Sequence, residues 1–124
     1  QLRQDLIEID EMTKIILNAN SGKIVYGNSA TQLIYTLANS MNVSSDDRVI
    51  LTEFAHSSMI SPFVRRFTNV EYWLYSDTGT IEYSKLLDKV DNKTRLIVLP
   101  HVSNILGNVI DIKYLSSMIK QKNF

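Results

Sequence analysis

Short runs of β-branched and aromatic residues alternate with apolar stripes at helical spacing, and this alternation limits the fold more than any other feature of the chain. Lys23-Ile24-Val25-Tyr26, Arg48-Val49-Ile50-Leu51-Thr52, Val70-Glu71-Tyr72-Trp73-Leu74-Tyr75 and Leu96-Ile97-Val98-Leu99 read as four strands. Helical stripes precede, separate and follow them. They run from Leu2 to Leu17, with acids early and Lys14 late; through Leu33, Ile34, Leu37, Ala38 and Met41; from Met59 to Phe67; from Tyr83 to Val90; and through Ile112, Leu115, Met118 and Ile119. Turn residues fill the gaps at Asn18-Ala19-Asn20-Ser21-Gly22, Ser44-Ser45-Asp46-Asp47 and Asp77-Thr78-Gly79-Thr80. Strands alternating with helices over short connections predict an α/β fold, a doubly wound, mostly parallel sheet with right-handed crossovers. Pro62 is tolerated only near a helix start, which places the beginning of the third helix at about Ser58 to Ser61.

With 124 residues, 44% hydrophobic and 21% charged, the chain can bury one core and no more than one domain is expected. Thirteen basic residues balance thirteen acidic ones, so no net field favours nucleic acid or an anionic membrane surface. Cysteine is absent, which excludes disulfides, thiolate zinc sites and a cysteine nucleophile from this stretch and fits a reducing, cytoplasmic compartment. No window approaches a membrane-spanning length, and Gln1-Leu2-Arg3-Gln4-Asp5 lacks the apolar core of a signal peptide. The sequons Asn42-Val43-Ser44 and Asn92-Lys93-Thr94 carry no weight beyond chance. Asn123-Phe124 follows the last helix with no further strand for it to enter.

Leu96-Ile97-Val98-Leu99-Pro100 is the most hydrophobic strand candidate, and it stops abruptly at His101-Val102-Ser103-Asn104-Ile105-Leu106-Gly107. A buried strand that ends in polar residues delivers them to the carboxyl edge of a sheet, where open α/β folds bind ligands. His56, in Phe54-Ala55-His56-Ser57-Ser58, follows the second strand and reaches the same edge if the strands are parallel. Either histidine has a plainer reading as a solvated or hydrogen-bonded loop residue. Gly27-Asn28-Ser29-Ala30-Thr31-Gln32 lies between a strand and a helix, where free N–H groups with Ser29 and Thr31 suit a phosphate. The plainer reading there is a capping box, Ser29 with Gln32. The hexapeptide fits neither the Walker nor the dinucleotide glycine pattern. Two separated histidines without ligand-spaced carboxylates do not make a metal site, and no Gly-x-Ser-x-Gly elbow accompanies Ser57 and Ser58.

Together, Ser29-Ala30-Thr31-Gln32, Phe54 to Phe63, Asp77-Thr78-Gly79-Thr80-Ile81 and His101 to Gly107 resemble, in order and spacing, the class V aminotransferase family in its cysteine desulfurase and selenocysteine lyase branch. The resemblance covers nearly the whole chain and implies an internal part of the large domain of a fold-type I, pyridoxal 5'-phosphate (PLP) dependent transferase or lyase. It implies that Ser29, Ala30 and Thr31 bind the cofactor phosphate, that His56 stacks on the ring and assists proton transfer, and that Asn104 hydrogen-bonds the phenolic oxygen. It further implies an amino-acid substrate and a homodimer in the intact enzyme. Gln32, Ala55 and Ser57 depart from residues common in relatives, which leaves the reaction branch open. The family's Schiff-base lysine and pyridinium aspartate come after the equivalent of Phe124, so the segment 1–124 is expected to be inactive by itself. The family topology also pairs the first strand with a late one, leaving Lys23 to Tyr26 without a neighbour here.

Two other readings make different structural claims. A flavodoxin-like phosphate-binding or regulatory domain without enzymatic activity requires a complete sheet with the first two strands adjacent. An interaction module requires Tyr72, Trp73 and Tyr75 to form an exposed patch, although alternation puts at least one of them in the core.

Overall fold

The computed structural model describes residues 2–122, so Gln1 and the Asn123-Phe124 tail lie outside the described residues. The chain divides into two compact units between Leu33 and Ile34.

In the first unit, α1 (Leu2–Ile16) carries Asp5 in its first turn and Lys14 in its last, matching the helix dipole, and Lys14 pairs with Asp10 at 3.0 Å. The helix ends as its sequence requires. Asn18 takes the left-handed conformation (φ 51°), so that its N–H reaches the Ile15 carbonyl and the Ala19 N–H reaches that of Lys14. Lys23 to Tyr26 does not form the expected strand. A single extended segment leaves its backbone groups without a ladder unless a second strand lies beside it; here the Tyr26 hydroxyl instead donates to Thr13 Oγ1 at 3.2 Å. The four strands read from the sequence are therefore three among the described residues, and the adjacent first pair that a flavodoxin-like sheet needs is not formed. Helix α2 (Ala30–Ser40) begins in this unit and ends in the second.

The second unit holds β1 (Arg48–Thr52), α3 (Ser57–Arg66), β2 (Asn69–Trp73), α4 (Tyr83–Leu87), β3 (Thr94–Val98) and α5 (Ile112–Gln121). The sheet is wholly parallel in the order β2-β1-β3, with Arg48 opposite Asn69 and Leu51 opposite both Tyr72 and Val98. Central β1 is apolar on both faces, as a parallel strand covered on both sides must be. Val49 and Leu51 pack with Ala38, Phe63 and Phe67, while Ile50 packs with Phe54, Trp73, Leu86 and Leu115 on the opposite face. Helices α2 and α3 thus cover one face and α4 and α5 the other, which is the doubly wound arrangement.

Boundaries moved by small steps. Helix α3 starts at Ser57, one residue ahead of the expected window, because the His56 side chain caps it, and Pro62 consequently lies in the second turn. Strand β2 stops at Trp73, leaving Leu74 and Tyr75 outside the ladder. The aromatic patch is not formed: Trp73 is fully buried, its Nε1 donates to the Glu82 carbonyl at 3.0 Å, and its ring meets Phe54 edge-on at 5.2 Å.

At the amino edge, Arg48 Nη1 reaches Asp91 Oδ2 at 3.0 Å and the Lys89 carbonyl at 3.2 Å, joining the start of β1 to the turn that begins β3. Partial desolvation raises the Asp91 carboxyl, but hydrogen bonds from the Lys93 N–H and the Thr94 hydroxyl, with the Arg48 charge, outweigh it and hold the group below its ordinary 3.8. A depressed carboxylate stabilises the fold above its unfolded value and loses that contribution as pH falls through the folded one. Asp91→Asn is accordingly expected to lower the melting temperature at pH 7, with the gap to the parent narrowing from about pH 4 downward, as thermal unfolding across that range will read. Trp73→Ala, which empties the core and strands the Glu82 carbonyl, is expected to cost about 3–5 kcal/mol in urea unfolding.

Candidate functional site

Because β1 and β3 are neighbours and parallel, the segments leaving their carboxyl ends emerge on one edge of the sheet. The β1 segment carries His56 and the β3 segment Asn104, both exposed. What joins them is Ser103, a residue that reading the sequence passed over in favour of its neighbours. Its side chain is 2% exposed, and its Oγ donates to the Phe54 carbonyl at 3.2 Å across 49 positions of sequence. The same oxygen accepts the Ile105 and Leu106 N–H groups, each at 3.3 Å, drawing the chain around Asn104 into a turn. Gly107 closes that turn with φ 70° and an N–H to the Ser103 carbonyl at 2.9 Å; glycine suits this left-handed position. Beyond it, Ser103 N–H reaches the Asn108 carbonyl, Val102 bridges Val109, and Ile110 N–H returns to the His101 carbonyl, so residues 101–110 form a closed loop.

The β1 segment is fixed with equal economy. Phe54 and Ala55 are buried, and His56 is the cap of α3. Its Nδ1 accepts the Ser58 N–H at 3.2 Å and lies 2.8 Å from Ser58 Oγ. An Nδ1 lone pair spent on an N–H donor puts the proton of the neutral ring on Nε2, which has no partner among the described residues. His56 is therefore both a hydrogen-bonded cap and exposed.

Glu53 ties β1 to β2, its Oε1 accepting the Tyr75 N–H at 2.5 Å. Burial pushes the Tyr75 phenol above its ordinary value; the nearby Ser103 hydroxyl works against the rise and the Glu53 carboxylate adds to it. The Tyr75 hydroxyl lies near Ser103, yet it has no hydrogen-bond partner among the described residues. Buried Thr52 Oγ1, at the end of β1, also lacks a partner among the described residues.

Ser29, Ala30 and Thr31 belong to the first unit. Ser29 Oγ accepts the Gln32 N–H at 3.1 Å, and Gln32 Oε1 accepts the Asn28 N–H at 2.8 Å, so the expected cap is present with its return bond shifted by one residue. Gly27 makes this possible, since a Cβ there would stand 2.6 Å from a Leu33 methyl and 3.0 Å from Gln32 Oε1. The cap consumes one donor. Ala30 and Thr31, the first two residues of α2, keep N–H groups that no helical carbonyl can reach.

In the first unit, the two helix-start N–H groups and the Thr31 hydroxyl have the chemistry that suits a dianionic phosphate. In the second, the His56 imidazole has the chemistry that suits an aromatic face, and the Asn104 amide, without a partner among the described residues, that which suits a phenolate oxygen. Among the described residues, no three His, Cys, Asp or Glu side chains group as metal ligands, and no helix is long and apolar enough to cross a membrane. His101 is exposed and contributes its carbonyl to the loop.

The family described as aminotransferase class-V matches residues 1–124. An aminotransferase-like protein of Gibberella zeae is 32% identical over 111 residues, which cover 85% of this chain and 28% of that protein. A probable cysteine desulfurase of Methanothermobacter thermautotrophicus is 30% identical over 111 residues, covering 87% of this chain and 28% of its own length. A cysteine desulfurase of Serratia proteamaculans is 28% identical over 125 residues, covering 94% and 31% respectively. The chain spans less than a third of the length of these relatives. With a match along its whole length and a parallel sheet wound as the motifs required, the chain belongs to the class V aminotransferase family.

Proposed function

We propose that the chain is the cofactor-binding portion of a PLP-dependent enzyme acting on an amino acid, of the cysteine desulfurase-like transferase or lyase kind. The observation that carries this reading is the delivery of an oriented imidazole and an exposed amide to the same sheet edge by adjacent parallel strands, in a chain of this family. Bound PLP supplies a ring that withdraws electrons from the α-carbon of an amino acid. The residues of this chain bind and orient. Ala30 and Thr31 hold the phosphate through their N–H groups and the Thr31 hydroxyl, with Ser29 fixing the turn. His56 lays its ring against the pyridine and holds a proton at Nε2. Asn104 donates its amide N–H to the phenolic oxygen. The same reading makes the intact protein a homodimer, as the family resemblance implies, in the reducing cytoplasm that the cysteine-free stretch fits, and leaves residues 1–124 alone without the lysine that fixes the cofactor.

In the full-length protein, Asn104→Ala is expected to weaken PLP about 10- to 100-fold, the value of a hydrogen bond to a charged oxygen, as equilibrium titration of the cofactor's visible absorption will measure. His56→Ala is expected to lower turnover about 100-fold or more with a smaller effect on PLP affinity. Borohydride trapping of the 124-residue chain with PLP is expected to label no lysine stoichiometrically; one stoichiometric site would overturn this division of labour.

A further inference from the structure

Ser103 has no role in the assignment above, yet it spends every polar group it has at the junction of the two loops. Its N–H, carbonyl and hydroxyl make five hydrogen bonds, to Asn108, Gly107, Phe54, Ile105 and Leu106, while its side chain is 2% exposed. Four of those bonds shape the turn on which Asn104 sits. The fifth crosses to Phe54, whose ring is locked in the core by Trp73 at 5.2 Å and Tyr75 at 4.8 Å, and whose carbonyl lies just ahead of His56 in the chain. His56 is in turn held by Ser58. One hydroxyl thus joins, by a hydrogen bond, the segment that carries the imidazole to the turn that carries the amide.

We propose that Ser103 is a positioning residue that sets the spacing of His56 and Asn104, so that both meet one aromatic ring; this rests on the PLP reading of the site. A hydroxyl suits the task because it donates once and accepts twice within a single buried position, which an alanine, a cysteine or an amide of larger volume does not reproduce. Removing it leaves the Phe54 carbonyl without its acceptor role filled and frees the Ile105 and Leu106 N–H groups together, so the turn and the crossing tie loosen as one event.

The test uses the full-length protein and the variants Ser103→Ala, Ser103→Thr and Asn104→Ala. Amide exchange without cofactor reads the tie itself. In Ser103→Ala the Ile105 and Leu106 amides are expected to exchange about three- to tenfold faster, and Ser103→Thr, which keeps the hydroxyl, is expected to return them toward the parent rate. With PLP bound, the pH midpoint of its visible absorption reads the amide at the phenolic oxygen. That midpoint is expected to move in Ser103→Ala in the same direction as in Asn104→Ala, and to return in Ser103→Thr. Faster exchange with an unmoved midpoint would overturn the positioning role while leaving the cofactor site standing. A parent protein that takes up no PLP at all overturns the reading of the site, and with it the role of Ser103 there. Unchanged exchange in Ser103→Ala overturns the tie directly.

Discussion

The arrangement of this chain depends on β1 being hydrogen-bonded on both sides to parallel strands. Its residues Val49, Ile50, Leu51 and Thr52 are fully buried, so its position is the least adjustable part of the second unit. A parallel ladder forces every strand to end on the same edge, and each connection must cross back over a face. The chemistry-bearing segments after β1 and β3 are adjacent for that reason, and no local sequence signal around His56 or Asn104 had to specify it. The apolar character of β1 on both faces, which looks like an ordinary core property, is what makes a shared rim possible.

Strand hydrogen bonds bring the two segments to one edge but leave them free to splay once the ladder ends. Side chains take over there. Arg48 with Asp91 closes the amino edge, Glu53 with the Tyr75 N–H joins β1 to β2 at the carboxyl edge, and Ser103 with the Phe54 carbonyl joins β1 to β3. The amino-edge contact is an ion pair in partial contact with water, of the kind that contributes modestly. The Ser103 contact is buried, where an unfilled backbone carbonyl is expensive, and it therefore constrains geometry more tightly than its 3.2 Å length suggests.

The sequence made the helices and the three paired strands legible because each carries its own period, and several of the helices carry stop or start residues as well. Asn18 stops α1, Ser29 and Gln32 begin α2, and Asp111 begins α5 by accepting the Tyr114 N–H at 2.9 Å. Lys23 to Tyr26 was misread as a strand because β-branched composition records only a local preference, whereas a strand exists through its neighbour. The family resemblance had already left that segment unpartnered, and the structure agrees with the topology over the composition. At the site, the motif from His101 to Gly107 drew notice to its histidine and asparagine. Ser103 was hidden because its decisive partner is a backbone carbonyl 49 positions away, and a carbonyl has no side-chain signature. Only the local half of its role was readable, as a hydroxyl ahead of a turn that closes on glycine.

At Ser29 and His56 the sequence offers a structural and a chemical reading of one residue, and the geometry lets both stand. Capping α2 with Ser29 occupies the Gln32 N–H and leaves those of Ala30 and Thr31 open. Capping α3 with His56 occupies Nδ1 and thereby fixes the proton on Nε2. Turning the chain at Ser103 likewise occupies the Ile105 and Leu106 N–H groups, and the Asn104 amide between them and Ser103 has no partner among the described residues. In each case satisfying the backbone consumes a polar group and sets the path of the chain beside it. Backbone groups whose directions are set by folding in this way cost little further entropy to align.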